Sequence, residues 1–138
     1  MAKMHEYTHT VQYYETDQMA IVHHSNYIRW MEEARVAILD ANGCGYVEME
    51  ARGIVSPVVS VTCRYKEPTK FGDSVLIRAQ VTGYNGVRLS IHYEMTNLRT
   101  GNICAVADSE HCFLAPNGRP TSLARVAPEY DAAMKKLM

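Results

Sequence analysis

The chain has 138 residues, a size that fits one domain better than two and buries about two-thirds of its unfolded surface without disulfide or metal staples. Hydrophobic residues make up 47% and charged residues 21%, an ordinary globular composition. A net charge of −1 excludes a global basic field for nucleic acid or anionic lipid, and no apolar run approaches the ~18–20 residues that span a bilayer.

Residues 6–14 alternate, with Tyr7, His9, Val11 and Tyr13 on one side and Thr8, Thr10, Gln12 and Tyr14 on the other. This predicts a strand running into the polar turn Glu15-Thr16-Asp17-Gln18. Ile28, Met31, Ala34, Arg35, Ile38, Leu39 and Asn42 then recur at three- and four-residue steps, the one long helical signal in the chain. Ser25 or Asn26 caps its start, and Gly43 and Gly45 end it. A short helical continuation from Tyr46 to Arg52 stops at Gly53.

Four alternating runs follow. Val59, Val61, Cys63 and Tyr65 mark the first, and Val75, Ile77, Ala79 and Val81 the second. Asn85-Gly86 then stands where a two-residue type I′ hairpin turn belongs. Val87, Leu89, Ile91, Tyr93 and Met95 form the next face, Thr100-Gly101-Asn102 the next turn, and a last strand runs from Ile103 to Leu114. Residues 128–138 read as a short terminal helix. One strand, one long helix and four strands joined by short turns indicate an α+β architecture in which the sheet curls around the helix. Edge strands and flat apolar faces left without cover favour a dimer.

Cys44, Cys63, Cys104 and Cys112 are widely spaced, with no C-x-x-C pair. The first residues carry no signal-peptide core, so the expectation is a cytoplasmic protein with reduced thiols. Cys63, Cys104 and Cys112 fall in strand patterns and read as small core residues.

The chemistry concentrates between Val11 and Arg35. Asp17 lies on a loop just ahead of a helix N-terminus, whose first N–H groups lack internal partners and whose dipole is positive there. Such an end holds an oxyanion, and a carboxylate a few residues upstream reaches the same space as base or nucleophile. The competing reading on these residues alone is that Asp17 is a cap or turn former.

Val11, Tyr13, Glu15, Thr16, Asp17, Val22, His24, Asn26, Tyr27, Trp30, Glu32, Ala34 and Arg35 stand in a register that resembles the signature of the 4-hydroxybenzoyl-CoA thioesterase-like branch of the hot-dog superfamily. Arg64-Tyr65-Lys66-Glu67-Pro68 and Phe71-Gly72-Asp73 resemble that family's R-Y-x-x-P followed by G-D. The resemblance implies a hot-dog fold, a five-stranded antiparallel sheet wrapped around one long central helix, as a single domain over residues 1–138. It also implies a homodimer or homotetramer with the active site at the dimer interface. The implied reaction hydrolyses an acyl- or aroyl-CoA to free acid and coenzyme A, with no cofactor beyond the coenzyme A that belongs to the substrate.

By the same resemblance Asp17 is the catalytic carboxylate, as nucleophile or general base, and the backbone N–H near His24 polarises the thioester carbonyl. Ser56-Pro57-Val58-Val59 matches a strand that lines the site from the partner subunit. The family usually has glycine where this chain has Ala20; alanine there fits either a loop with φ below zero or a narrower acyl pocket.

Other candidates carry competing readings. His23 and His24 are adjacent, so their side chains are expected to diverge, at the wrong spacing for a metal pair. His24 orients the loop or touches substrate. Asn26 steadies the Asp17 loop, contacts substrate or caps the helix. Tyr27 and Trp30 read first as packing aromatics, with acyl contact secondary. Glu32 and Arg35, three apart, are expected to pair. Glu33 is a reserve carboxylate. Arg64, Lys66, Lys70 and Arg88 are candidates for the coenzyme A phosphates. The rival functions are a hot-dog hydratase or dehydratase, and a non-catalytic dimer that binds acyl-CoA or acyl-carrier protein.

Overall fold

The alternating runs become five antiparallel strands. The computed structural model describes residues 3–138 and contains β1 (His5–Thr10), a 3₁₀ turn (Tyr13–Glu15), α1 (Ser25–Ala41), α2 (Tyr46–Ala51) and β2 (Val58–Tyr65). Then follow β3 (Ser74–Tyr84), β4 (Arg88–Asn97), β5 (Ile103–Cys112), α3 (Leu123–Val126) and α4 (Pro128–Lys136). The sheet order is β1-β3-β4-β5-β2, with every neighbouring pair antiparallel. This is the hot-dog arrangement.

The period-2 faces explain the wrap. Val75, Ile77, Ala79 and Val81 of β3 and Leu89, Ile91, Tyr93 and Met95 of β4 are all buried, and they share a core with Tyr27, Trp30, Met31, Ala34 and Leu39 of α1. Trp30 has no exposed surface. A long helix with one broad apolar stripe and a sheet with one apolar face can bury both only against each other. No helix among the described residues is long and apolar enough to cross a membrane.

β1 ends four residues earlier than the alternation predicts. The Gln12 N–H turns to the Glu15 carboxylate at 2.8 Å, and a 3₁₀ turn replaces the strand's last residues. A tertiary contact thereby overrides a period-2 pattern. At the other end the tail forms two helices, since Pro128 starts α4 one residue after α3 closes.

β2 departs most from an ordinary buried strand. It is an edge, and seven of its eight residues are exposed, Val58, Val59 and Val61 among them. Apolar β-branched side chains on an open edge are an unfinished surface.

The hairpin between β3 and β4 differs from expectation. Tyr84 pairs with Leu89, and Asn85 N–H donates to the Arg88 carbonyl, so the chain reverses at Gly86-Val87, one residue later than expected. Only Gly86 takes a positive φ, +89°, whereas a type I′ turn needs two such residues. The Asn85 side chain instead accepts from the N–H groups of Val87 (3.0 Å) and Arg88 (2.7 Å). A Cβ on Gly86 would also stand 3.3 Å from Ser122 Oγ. Gly86→Ala is therefore expected to lower the unfolding free energy by about 1–2 kcal/mol in urea titration, through left-handed strain and this close contact.

Candidate active site at the start of the central helix

The site is built around one buried carboxylate, that of Glu15. Glu15 Oε1 accepts from His9 Nε2 and from Gln12 N–H, both at 2.8 Å, and its Oε2 accepts from Trp30 Nε1 at 2.7 Å. The Glu15 backbone carbonyl accepts from the His23 N–H and from Asn26 Nδ2, both at 2.9 Å. One residue thus joins β1, the 3₁₀ turn and the start of α1. Burial raises the Glu15 pKa, but the bonds from Gln12, His9 and Trp30 outweigh that cost and hold it below the ordinary carboxylate value.

His9 also faces Glu33 Oε2 across its other nitrogen, at 2.8 Å, and Tyr7 OH donates to the same oxygen at 3.2 Å. His9 donates to both carboxylates only as the imidazolium. Glu33, the reserve carboxylate, is thereby occupied with β1 and does not line the pocket that holds Asp17.

Two residues beyond Glu15, Asp17 opens a five-residue loop. Asp17 N–H donates to the Ile21 carbonyl, Thr16 bridges Val22, and Met19 N–H donates to Asp17 Oδ1 at 2.8 Å. Asp17 Oδ2 makes no hydrogen bond among the described residues. Ala20 sits in this loop at φ +64°, which excludes the φ-below-zero alternative for a position where glycine is usual.

The helix backbone begins at His24 (φ −55°, ψ −29°). Neither Ser25 nor Asn26 caps it. His23 does so, its carbonyl accepting from Asn26 N–H at 3.0 Å and its Nδ1 from Ser25 N–H at 3.2 Å. The two histidine rings stack at 4.3 Å rather than diverging, because Ser25 Oγ holds His23 Nδ1 at 2.8 Å. Asn26 is buried and directs its amide to the Glu15 and His23 carbonyls. The His24 N–H has no intramolecular acceptor among the described residues. It is a free donor at the positive end of a 17-residue helix.

Asp17, His24, Tyr27 and Lys66 line one pocket of about 340 Å³, together with Met19, Ile21, Val22, Tyr65, Glu67 and Pro68. Tyr65 is the residue that sequence reading passed over. Its OH donates to the His24 carbonyl at 3.1 Å, and its ring packs edge-on to Tyr27 at 5.2 Å. Tyr27 OH bonds Thr69 Oγ1 at 2.8 Å. Burial pushes both phenols up to about 12, so each stays a neutral hydroxyl.

The remaining candidates fall elsewhere. Arg64 lines a neighbouring pocket of about 380 Å³ that shares Lys66. Val58 lines a smaller cavity with Arg35, Ser56 Oγ is buried without a partner, and Val59 is exposed on the β2 edge. Glu32 and Arg35 do not pair: the Arg35 Nε turns inward and donates to Tyr46 OH at 2.9 Å.

The chain is similar to known proteins in sequence and in fold. A model of the Thioesterase-like superfamily matches residues 11–135. A Bacillus subtilis (strain 168) relative, YneP, provisionally named an acyl-CoA thioesterase, is 35% identical over 127 residues, which cover 91% of each chain. A DHNA-CoA thioesterase from Staphylococcus aureus is 28% identical with a TM-score of 0.91, covering 97% of this chain and 90% of that one. A Thermus thermophilus protein of unstated function, TT1821, is 30% identical with a TM-score of 0.87, covering 96% and 98%.

Two outcomes follow from the loop. Ala20→Gly is expected to raise stability by about 0.5–1 kcal/mol in urea unfolding, the relief of left-handed strain exceeding the added freedom of the unfolded chain. Glu15 has a folded pKa below its unfolded value, so its contribution is complete above about pH 4.5 and is lost as pH falls through the folded value. In Glu15→Gln the unfolding free energy, measured near pH 7 and again near pH 3, should therefore fall less on acidification than in the wild type.

Proposed function

The chain belongs to the Thioesterase-like superfamily, and on that premise we propose that it hydrolyses acyl-CoA thioesters, with Asp17 as the reacting carboxylate. One observation carries the reading. Asp17, with one carboxylate oxygen unengaged, and His24, whose backbone N–H has no acceptor among the described residues, line the same pocket. The names of the B. subtilis and S. aureus relatives support the substrate class.

The thioester carbonyl oxygen accepts from the His24 N–H, and the helix dipole favours the negative charge that builds there. Asp17 either adds to the carbonyl carbon, giving an acyl anhydride that water then cleaves, or takes a proton from the water that attacks. In both routes the tetrahedral intermediate collapses by breaking the C–S bond. The thiolate leaves without strong acid help, because a thiol of pKa near ~8.5 is a good leaving group. One carboxylate and one oriented N–H are then sufficient chemistry.

The coenzyme A moiety leaves the pocket past Lys66, with Arg64 beside it on the shared rim, and these two are the phosphate-binding candidates. The exposed valines of the β2 edge pair with the same edge of a second copy, making a homodimer and covering the unfinished surface. A partner's Val58-Val59 segment would then border the site. The four cysteines are free, which fits one domain working in the reducing cytoplasm.

The test is thiol release from acetyl-, butyryl-, octanoyl-, palmitoyl- and benzoyl-CoA. Asp17→Asn is expected to lower kcat for every ester that the wild type cleaves by about 100-fold or more. No turnover of any ester by the wild type would favour a binding protein instead, and equal turnover by both would make Asp17 structural. His24→Pro removes the donor at a position whose φ of −55° suits proline. It should cost about 100-fold in kcat against His24→Ala, which keeps the N–H.

A further inference from the structure

The Asp17 pocket has a second carboxylate, which the proposed mechanism does not use. Glu67 lines it together with Asp17 and Lys66. It stands two residues beyond the end of β2, half-buried, and its backbone N–H donates to the Cys104 carbonyl at 3.2 Å. Asn102 Nδ2, from the turn between β4 and β5, donates to Glu67 Oε1 at 3.3 Å. Glu67 forms no ion pair among the described residues. Its charge acts inward as well as on the rim. Cys104 belongs to the buried core; burial pushes its thiol up to about 11, and the Glu67 carboxylate adds to that rise.

The pocket walls thus carry two carboxylates against one ammonium, and Asp17 is likewise without an ion pair among the described residues. In the proposed complex Lys66 faces the coenzyme A phosphates, which leaves the acyl group beside two uncompensated carboxylates. Ile21 and Val22 add apolar wall. The two phenols offer an acyl-borne anion little, since Tyr27 OH is engaged with Thr69 Oγ1 and Tyr65 OH with the His24 carbonyl. A pocket of about 340 Å³ is ~9 Å across if round, comparable with the ~8–10 Å over which charges act at ordinary salt. An anion placed in it therefore meets the Glu67 field.

We propose that Glu67 sets the charge class of the substrate: it opposes acyl groups that carry a carboxylate and restricts hydrolysis to thioesters of uncharged acyl chains. The inference rests on the thioesterase reading above and names the substrate class of that same site. An uncharged chain buries against the apolar wall and loses nothing to Glu67. An anionic chain leaves water without gaining a counter-ion and is repelled besides. For two unit charges ~7 Å apart at an effective dielectric of ~50, that repulsion amounts to about fivefold in kcat/KM.

Hexanoyl-CoA and adipoyl-CoA test this, because they share six acyl carbons and differ in one terminal carboxylate. At about pH 8, where histidine charge does not enter the comparison, the wild type is expected to favour hexanoyl-CoA in kcat/KM by about tenfold or more. Glu67→Gln keeps the shape and the acceptor for Asn102 and removes the charge. It should narrow the ratio by about fivefold, chiefly through a rise for adipoyl-CoA. Glu67→Asp, which keeps the charge, should hold the ratio near the wild-type value. A wild type that cleaves adipoyl-CoA as well as hexanoyl-CoA, or better, overturns the inference whether or not the variants fold, and leaves the thioesterase reading standing. An unchanged ratio in folded Glu67→Gln overturns the role of Glu67, and so does an equal loss on both esters. Turnover of neither ester, together with none from the wider panel, contradicts the thioesterase reading itself and the inference with it.

Discussion

The buried carboxylate of Glu15 is the constraint on which the site depends. Its two oxygens and its carbonyl take five hydrogen bonds from four places: a strand residue, a turn amide, the helix interior and the helix start. The charge-assisted ones are roughly twice as strong as neutral ones, and their loss would leave the Trp30 and Gln12 N–H groups without partners inside the protein. The consequence is positional. With Glu15 fixed to β1 and α1, the loop that begins two residues later has little freedom, and Asp17 stays beside the start of α1. The loop accepts the strain of Ala20 at φ +64° because its two ends are held by Thr16 pairing with Val22.

An aromatic series carries this anchoring to the far wall of the pocket. His9 lies against Trp30 at 4.7 Å, Trp30 against Tyr27 at 4.6 Å, and Tyr27 against Tyr65 at 5.2 Å. Tyr65 then returns to the His24 carbonyl, closing a circuit from β1 through α1 to the end of β2. The helix start is held on both sides, by Glu15 and by Tyr65, while its His24 N–H is left without an acceptor. Under the proposed mechanism, preorganisation of this kind would let one N–H and one carboxylate serve acyl transfer, since neither would move far as charge develops.

The sequence was most informative where a local rule and a tertiary demand coincide. The 3.6-residue stripe from Ile28 to Leu39 and the alternating faces of β3 and β4 were readable because the same residues that set the period also fill the core. Asp17 ahead of a helix was legible for the same reason. Failures occurred where a distant partner decided the outcome. Glu32 and Arg35 satisfy the spacing of a helical ion pair, yet Tyr46 draws the guanidinium inward. Val11 to Tyr14 alternate, yet Glu15 captures the Gln12 amide and ends the strand. The backbone sign at Ala20 could not be read from the residue type, because alanine prefers the opposite one. Tyr65 was overshadowed by its charged neighbours. β2 ends at Tyr65, so Lys66 is released from the alternation and both line the pocket.

The central claim is that the free N–H at the start of α1 holds the carbonyl of an acyl-CoA. It is tested most directly by following the His24 backbone amide by ¹⁵N–¹H NMR. The titrant is a non-hydrolysable acyl-CoA analogue in which a methylene replaces the thioester sulfur and the carbonyl is kept. The account predicts a downfield shift of the His24 amide proton that saturates with the analogue, larger than that of neighbouring amides such as Ser25. Saturable binding with no change at His24 would contradict it, since the carbonyl would then be held elsewhere.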